Sequence, residues 1–295
     1  MSNLSRGLFA ASERVILGRH INESGALEVS GKHSDPISFE GDVVILKGAS
    51  APSVTATGDV KCQSGARVGG IEACGDVSLN GTYDNAGTTA GLVHAGGSVT
   101  LQAGASAAGI LAGAAVVLCS DVHNRCFARC ADIQAGGAVK LEAGAQAGNI
   151  VSGSTVHLDG DGYRGVYASA KEIKARDYVW LGAGARAHDI QTDGNVELSA
   201  ETHYRMAATA KDIHSKGSVT LRPGAQAHDI DADGCILLMD DSHHSLRARA
   251  GSLASRQDVT MGVTGQATGS VSADGKVVVR RPKPWSLHSS GPAEI

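Results

Sequence analysis

Large side chains are scarce in this chain. Aromatic residues make up 3% of its 295 positions and proline occurs 6 times, too few bulky rings to fill a thick globular core. An excess of one charge is missing as well. The net charge is −4, with acids and bases mixed along the sequence, so the basic stripe of a nucleic-acid binder is absent. No run of 18 apolar residues occurs, which excludes a helical membrane span of the usual length. Residues Met1 to Leu17 hold only the short apolar runs Leu8-Phe9-Ala10-Ala11 and Val15-Ile16-Leu17, split by Ser12-Glu13-Arg14. They do not read as a secretory leader. The expectation is a cytoplasmic protein, and six cysteines are compatible with that reducing compartment.

What the chain has instead is a clock. Val99, Val139, Val179, Val219 and Val259 recur every 40 residues, each followed two positions later by Leu101, Leu141, Leu181, Leu221 or Met261. Val116, Val156, Val196 and Ile236 keep the same beat, 17 residues behind the first series and 23 ahead of its next member. Fixed-period self-similarity is the mark of a stacked repeat. With 39 glycines and a core vocabulary of Val, Ile, Leu and Ala, it predicts an all-β fold: a single-stranded parallel β-helix of alternating 17- and 23-residue rungs.

One short rung reads Gly-x-Val-x-Leu, then Gly-Ala, then Ile 11 residues after the valine, then the next valine 6 later, as in Val219, Leu221, Gly224-Ala225, Ile230 and Ile236. Alternation around each valine is strand periodicity with one face inside. Each Gly-Ala marks a corner, where a large side chain would crowd the neighbouring coil. Long rungs insert 6 residues, so that Val116 runs to Ile133 before Val139. Their inserts carry Ala128, Ala168, Ala208 and Ala248 in one phase, with Cys126, Val166, Met206 and Leu246 two residues earlier. This pattern predicts a wider coil with an added inward strand. Starts from Leu27 to Val277 count about thirteen coils, a rod roughly 60 Å long at ~4.8 Å per strand. Residues 1–26 are expected to form an N-terminal cap or tail, 27–279 the β-helix, and 280–295, with Pro282, Pro284 and Pro292, a disordered tail.

The alignment also sorts the cysteines. Cys62, Cys126 and Cys130 fall in core register and read as small apolar residues. Cys74, Cys119 and Cys235 lie near turns, and their role stays open.

The stretch Gly217-Ser218-Val219-Thr220-Leu221-Arg222-Pro223-Gly224-Ala225-Gln226-Ala227-His228-Asp229-Ile230-Asp231-Ala232 resembles a coil of the bactofilins, bacterial cytoskeletal proteins. That resemblance implies a right-handed β-helix that polymerises end to end without nucleotide. It covers the short rungs, about half the chain; bactofilin coils lack the 6-residue inserts. Gly75-Asp76-Val77-Ser78-Leu79-Asn80-Gly81 and Ala95-Gly96-Gly97-Ser98-Val99-Thr100-Leu101 are similar to repeats of filamentous haemagglutinins, which implies a secreted adhesin shaft as the alternative.

Two polar ladders stand out against this background. In the long rungs Asp121, Asp161, Glu201 and Asp241 share one phase, and His123, Tyr163, His203 and His243 the phase two residues on. In the short rungs His188-Asp189 and His228-Asp229 recur. Equivalent positions return every second coil, ~10 Å apart, so equivalent rungs cannot bring ligands to the ~2 Å that one transition metal needs. The ladders read first as a solvated, partly ion-paired edge, and second as a partner-binding face. No metal site, cofactor or catalytic group is expected; Tyr178 and Trp180, flanking Val179, read as outward surface residues. No phosphate loop or nucleophile elbow occurs. The functional expectation is a structural, non-enzymatic scaffold or filament subunit. Its partners would be further copies at the coil ends, or another protein along the Asp/His edge.

Overall fold

The computed structural model describes residues 18–81, 87–161, 164–201, 206–239 and 246–280. Those residues are all β and turn, with no helix among them. Two long sheets carry the architecture, one of 15 strands and one of 14. The first stacks the Val-x-Leu segments in strict register: Val99 on Val116, Val116 on Val139, Val139 on Val156. The second stacks the Ile segments, with Ile110 on Ile133 and Ile133 on Ile150. Nearly every pairing along both sheets is parallel, and the chain is a β-solenoid as its 40-residue period predicts.

The strands of the second sheet are bent. Arg67–Ala73 receives both Ser50–Ala51 and Val54–Ala56, while Gly69 stays out of the ladder. A Cβ on Gly69 would lie 2.2 Å from the Pro52 carbonyl oxygen, so only glycine allows the coils to approach at this bend. Each coil therefore has three straight segments: the Val-x-Leu strand and the two arms of the bent strand.

The interior is narrow and fully closed. Val43, Ile45, Val99, Leu101, Ile150, Leu158, Ile173, Leu181 and Leu221 are buried to within 1% of complete, in one continuous cluster. No single coil could bury these faces; each is covered by the coil above and the coil below. The Gly-Ala corners behave as their composition predicts. Gly48, Gly65, Gly104, Gly144, Gly184 and Gly224 all have positive φ, and the alanine after each is completely buried.

Most buried and edge polar groups are satisfied between coils, Arg19 Nε at the first strand being the exception among the described residues. Oδ1 of Asp42, Asp59 and Asp76 accepts the backbone N–H of Asp59, Asp76 and Ser98 in turn, at 2.7–2.8 Å. The buried hydroxyls of Ser152, Ser215 and Ser255 donate to glycine carbonyls at 2.6–2.8 Å. Thr88, which stands in the lumen where other coils place alanine, donates to the Gln63 carbonyl at 2.9 Å. Buried polar atoms without such partners would each cost about 1–3 kcal/mol.

The six-residue insert corrects the expectation of a wider coil. It is an antiparallel hairpin. Ser120–Asp121 pairs with Cys126–Phe127, Gly160–Asp161 with Val166–Tyr167, and Ala200–Glu201 with Met206–Ala207. The base of each is closed by Ala128 N–H to Cys119 O, Ala168 to Asp159 and Ala208 to Ser199. The hairpin takes the place of a corner. Ala105, Ala128 and Ala145, from successive short, long and short coils, are all completely buried, and their neighbours Ser106, Arg129 and Gln146 are stacked in register. The lumen therefore keeps one width along the rod, and the alternation in rung length appears only outside it.

Before the first parallel pair, Leu27–Val29 with Val43–Ile45, the strand Arg19–Ile21 lies antiparallel on Leu27–Val29. At the far end Val277–Val279 pairs with Val259–Met261.

Candidate functional site

The hairpins project on one side of the rod and lean along it. Phe127, on the return strand of the first hairpin, lies over corner glycine Gly144; Val166, from the second hairpin, approaches that glycine from the other side. A Cβ built on Gly144 would meet the Phe127 ring at 2.3 Å and Val166 Cγ1 at 2.8 Å. Gly184 is held in the same way between Tyr167 of the second hairpin and Met206 of the third, and Gly224 lies against Leu246. Val166, Met206 and Leu246 are therefore only half-buried. They pack on the corners and do not enter the lumen; Cys126 alone of that phase is fully buried. Hairpins and corners alternate as one interlocked column.

The first two long-rung acids, Asp121 and Asp161, serve their own hairpins. Asp121 Oδ1 accepts the Asn124 backbone N–H at 2.9 Å and Oδ2 the Asn124 side-chain amide at 2.9 Å. These hydrogen bonds hold its carboxyl below the ordinary 3.8 because they favour the charged form. Asp161 Oδ1 accepts the Arg164 backbone N–H at 3.2 Å. Glu201 ends the strand Ala200–Glu201 of the third hairpin. His123 Nδ1 is 3.3 Å from Arg164 Nη2 of the next hairpin. Tyr163, His203, Asp241 and His243 lie outside the described residues.

The short-rung pairs are brought together differently. His188 Nδ1 lies 2.9 Å from Asp189 Oδ1, and His228 Nδ1 lies 2.9 Å from Asp229 Oδ2. Equivalent rungs are indeed separate, but the intervening long coil adds Asp212. Its Oδ1 is 3.9 Å from His228 Nδ1, so Asp212, His228 and Asp229 place three donor atoms within 4.8 Å of one another. The signal was present in the aligned Lys211-Asp212-Ile213 and His228-Asp229-Ile230. Both carboxylates already have partners. Lys211 Nζ sits 3.1 Å from Asp212, and Asp229 accepts the Ser252 N–H at 3.2 Å, the main cause of its lowered carboxyl pKa.

Tyr178 and Trp180 face outward on either side of buried Val179, and each is half-exposed. The Tyr178 hydroxyl donates to Glu197 at 3.0 Å; burial first, and this bond second, push its pKa upward. The His157 ring lies 5.5 Å from Trp180 and 6.1 Å from Tyr178. None of the six cysteines is joined in a disulfide, and burial pushes Cys62 and Cys130 up to about 12. No helix among the described residues is long and apolar enough to cross a membrane.

No protein-family model, curated protein or solved structure matches this chain.

Proposed function

We propose a non-enzymatic structural role: a cytoplasmic β-solenoid that serves as a scaffold or filament subunit and assembles through its coil ends. The observation that carries this reading is the segment Val277–Val279. Its three valines are 47%, 42% and 56% exposed, and its outer edge pairs with no strand among the described residues. A row of unpaired N–H and C=O groups beside exposed β-branched side chains is a template for a further strand. At the opposite end Ile37–Phe39 is likewise paired on one side only, with Val54–Ala56. The uniform lumen supports stacking on the Val277–Val279 end; at the opposite end Arg19–Ile21 covers the Leu27–Val29 edge of the first sheet and leaves the Ile37–Phe39 edge of the second open. Six cysteines with no disulfide between them accord with a reducing compartment.

Negative-stain electron microscopy tests this reading, with the full-length chain beside Val277→Asp/Val279→Asp and beside a chain lacking residues 1–26. Long thin filaments from the full-length chain, lost on placing charge at the terminal strand, are expected. Uniform short rods from all three proteins would overturn it.

A further inference from the structure

Between the first two hairpins the column opens into a cleft of about 340 Å³, within the range of small-molecule sites. Its floor is Gly144 and Gln146 of the intervening short coil. Phe127 and Tyr167, the equivalent aromatic of each hairpin, line it with the guanidinium-bearing Arg125 and Arg164. The two acids of these hairpins are turned into their own loops, and no carboxylate among the described residues lines the cleft. Arg186 stacks its guanidinium 4.0 Å from the centre of the Tyr167 ring, which adds positive charge beside that wall.

Arg125 has an unusual backbone. It is the only non-glycine residue of the described chain with positive φ, at 54°. The equivalent position in the second hairpin is Gly165, at 64°, where the same loop conformation is free of Cβ strain. In sequence the third long rung carries Arg205 at this position and the fourth Ser245, so two of the four rungs keep arginine where a left-handed hairpin position favours glycine. Guanidinium groups match the fork geometry of carboxylates and phosphates, and aromatic faces favour the apolar face of a ring.

We propose that this cleft binds an acidic sugar, a uronate or a sugar phosphate. Arg125 and Arg164 hold the anion, and Phe127 and Tyr167 flank the ring.

Isothermal titration of the full chain with glucuronic acid, glucose 6-phosphate, glucose and inorganic phosphate tests this. Binding of one acidic sugar, at least tenfold tighter than glucose or inorganic phosphate and weakened by salt, is expected. Arg125→Gly and Arg164→Gln should each weaken it at least tenfold, while Arg256→Gln, remote from the cleft, leaves it unchanged. Arg125→Gly should also raise the melting temperature, which separates loss of the ligand from loss of the fold. An acidic oligosaccharide that binds tighter than its monomer identifies a polymer as the source; equal affinity identifies a free sugar. No binding of either acidic sugar at millimolar concentration, equal binding of inorganic phosphate, or unchanged binding in both arginine variants overturns the proposal.

Discussion

Substituting alanine at two glycines with the same backbone conformation separates the hairpin column from ordinary turn strain. Gly144 and Gly165 both have positive φ, at 94° and 64°. A Cβ on Gly165 would meet nothing within 4 Å, whereas one on Gly144 falls 2.3 Å from Phe127 and 2.8 Å from Val166. Gly165→Ala thus bears only the left-handed backbone penalty, about 1–2 kcal/mol. Gly144→Ala bears that and an overpacking cost of about 1–3 kcal/mol, for a total of about 2–5 kcal/mol. The two contacts come from different hairpins, so the damage should spread to both. Urea unfolding gives the overall cost. Amide hydrogen exchange gives its location, because stacked repeats open in units. The amides of Cys126–Phe127 and Val166–Tyr167 should lose protection, while Val139–Leu141 in the lumen keeps its own. Removing the ring with Phe127→Ala should recover part of the Gly144→Ala cost, a coupling of about 1 kcal/mol. Equal costs for the two glycine variants, or exchange confined to the corner itself, would refute the interlocked column.

Thiol alkylation under native conditions should modify exposed Cys74 first and leave Cys62 and Cys130 protected, since burial both shields them and raises them to about 12; mass spectrometry that finds Cys62 labelled as fast as Cys74 would contradict the register. Asp121 has a folded-state pKa below 3.8, so its contribution to the first hairpin is present above that unfolded-state value and is lost as the pH falls through the lower folded one. The Asn124 amide resonance should titrate with a midpoint below 3.8, and Asp121→Asn should abolish that titration; a midpoint at or above 3.8 would remove the loop-closing role.

The candidate site was only partly legible. The ladder of Asp121, Asp161, Glu201 and Asp241 was visible, but a column of acids has the same spacing whether it faces a partner or closes a series of turns. The loops Asp121-Val122-His123-Asn124-Arg125 and Asp161-Gly162-Tyr163-Arg164-Gly165 held the missing signal. An acid three residues before a turn N–H, followed by a left-handed position, is hairpin chemistry. The cleft between Phe127 and Tyr167 was not legible, because it forms between residues 40 apart only after two hairpins lean on one glycine.

The sequence by itself determined the solenoid. The 40-residue beat of valines, the Gly-Ala corners and the Ile 11 residues on allow one register, since a one-residue slip would turn every core side chain outward. The path of the six-residue insert was decided by tertiary structure. Alternation with period two is the same for a strand that widens a coil and for one that folds back on its neighbour. Ala128 is buried in either case. The choice lay in which backbone groups Ser120–Asp121 would pair with. The adjacent short coils have no strand at that corner to offer a partner, so the insert pairs with itself and packs its outer side chains on the glycines of the next coil.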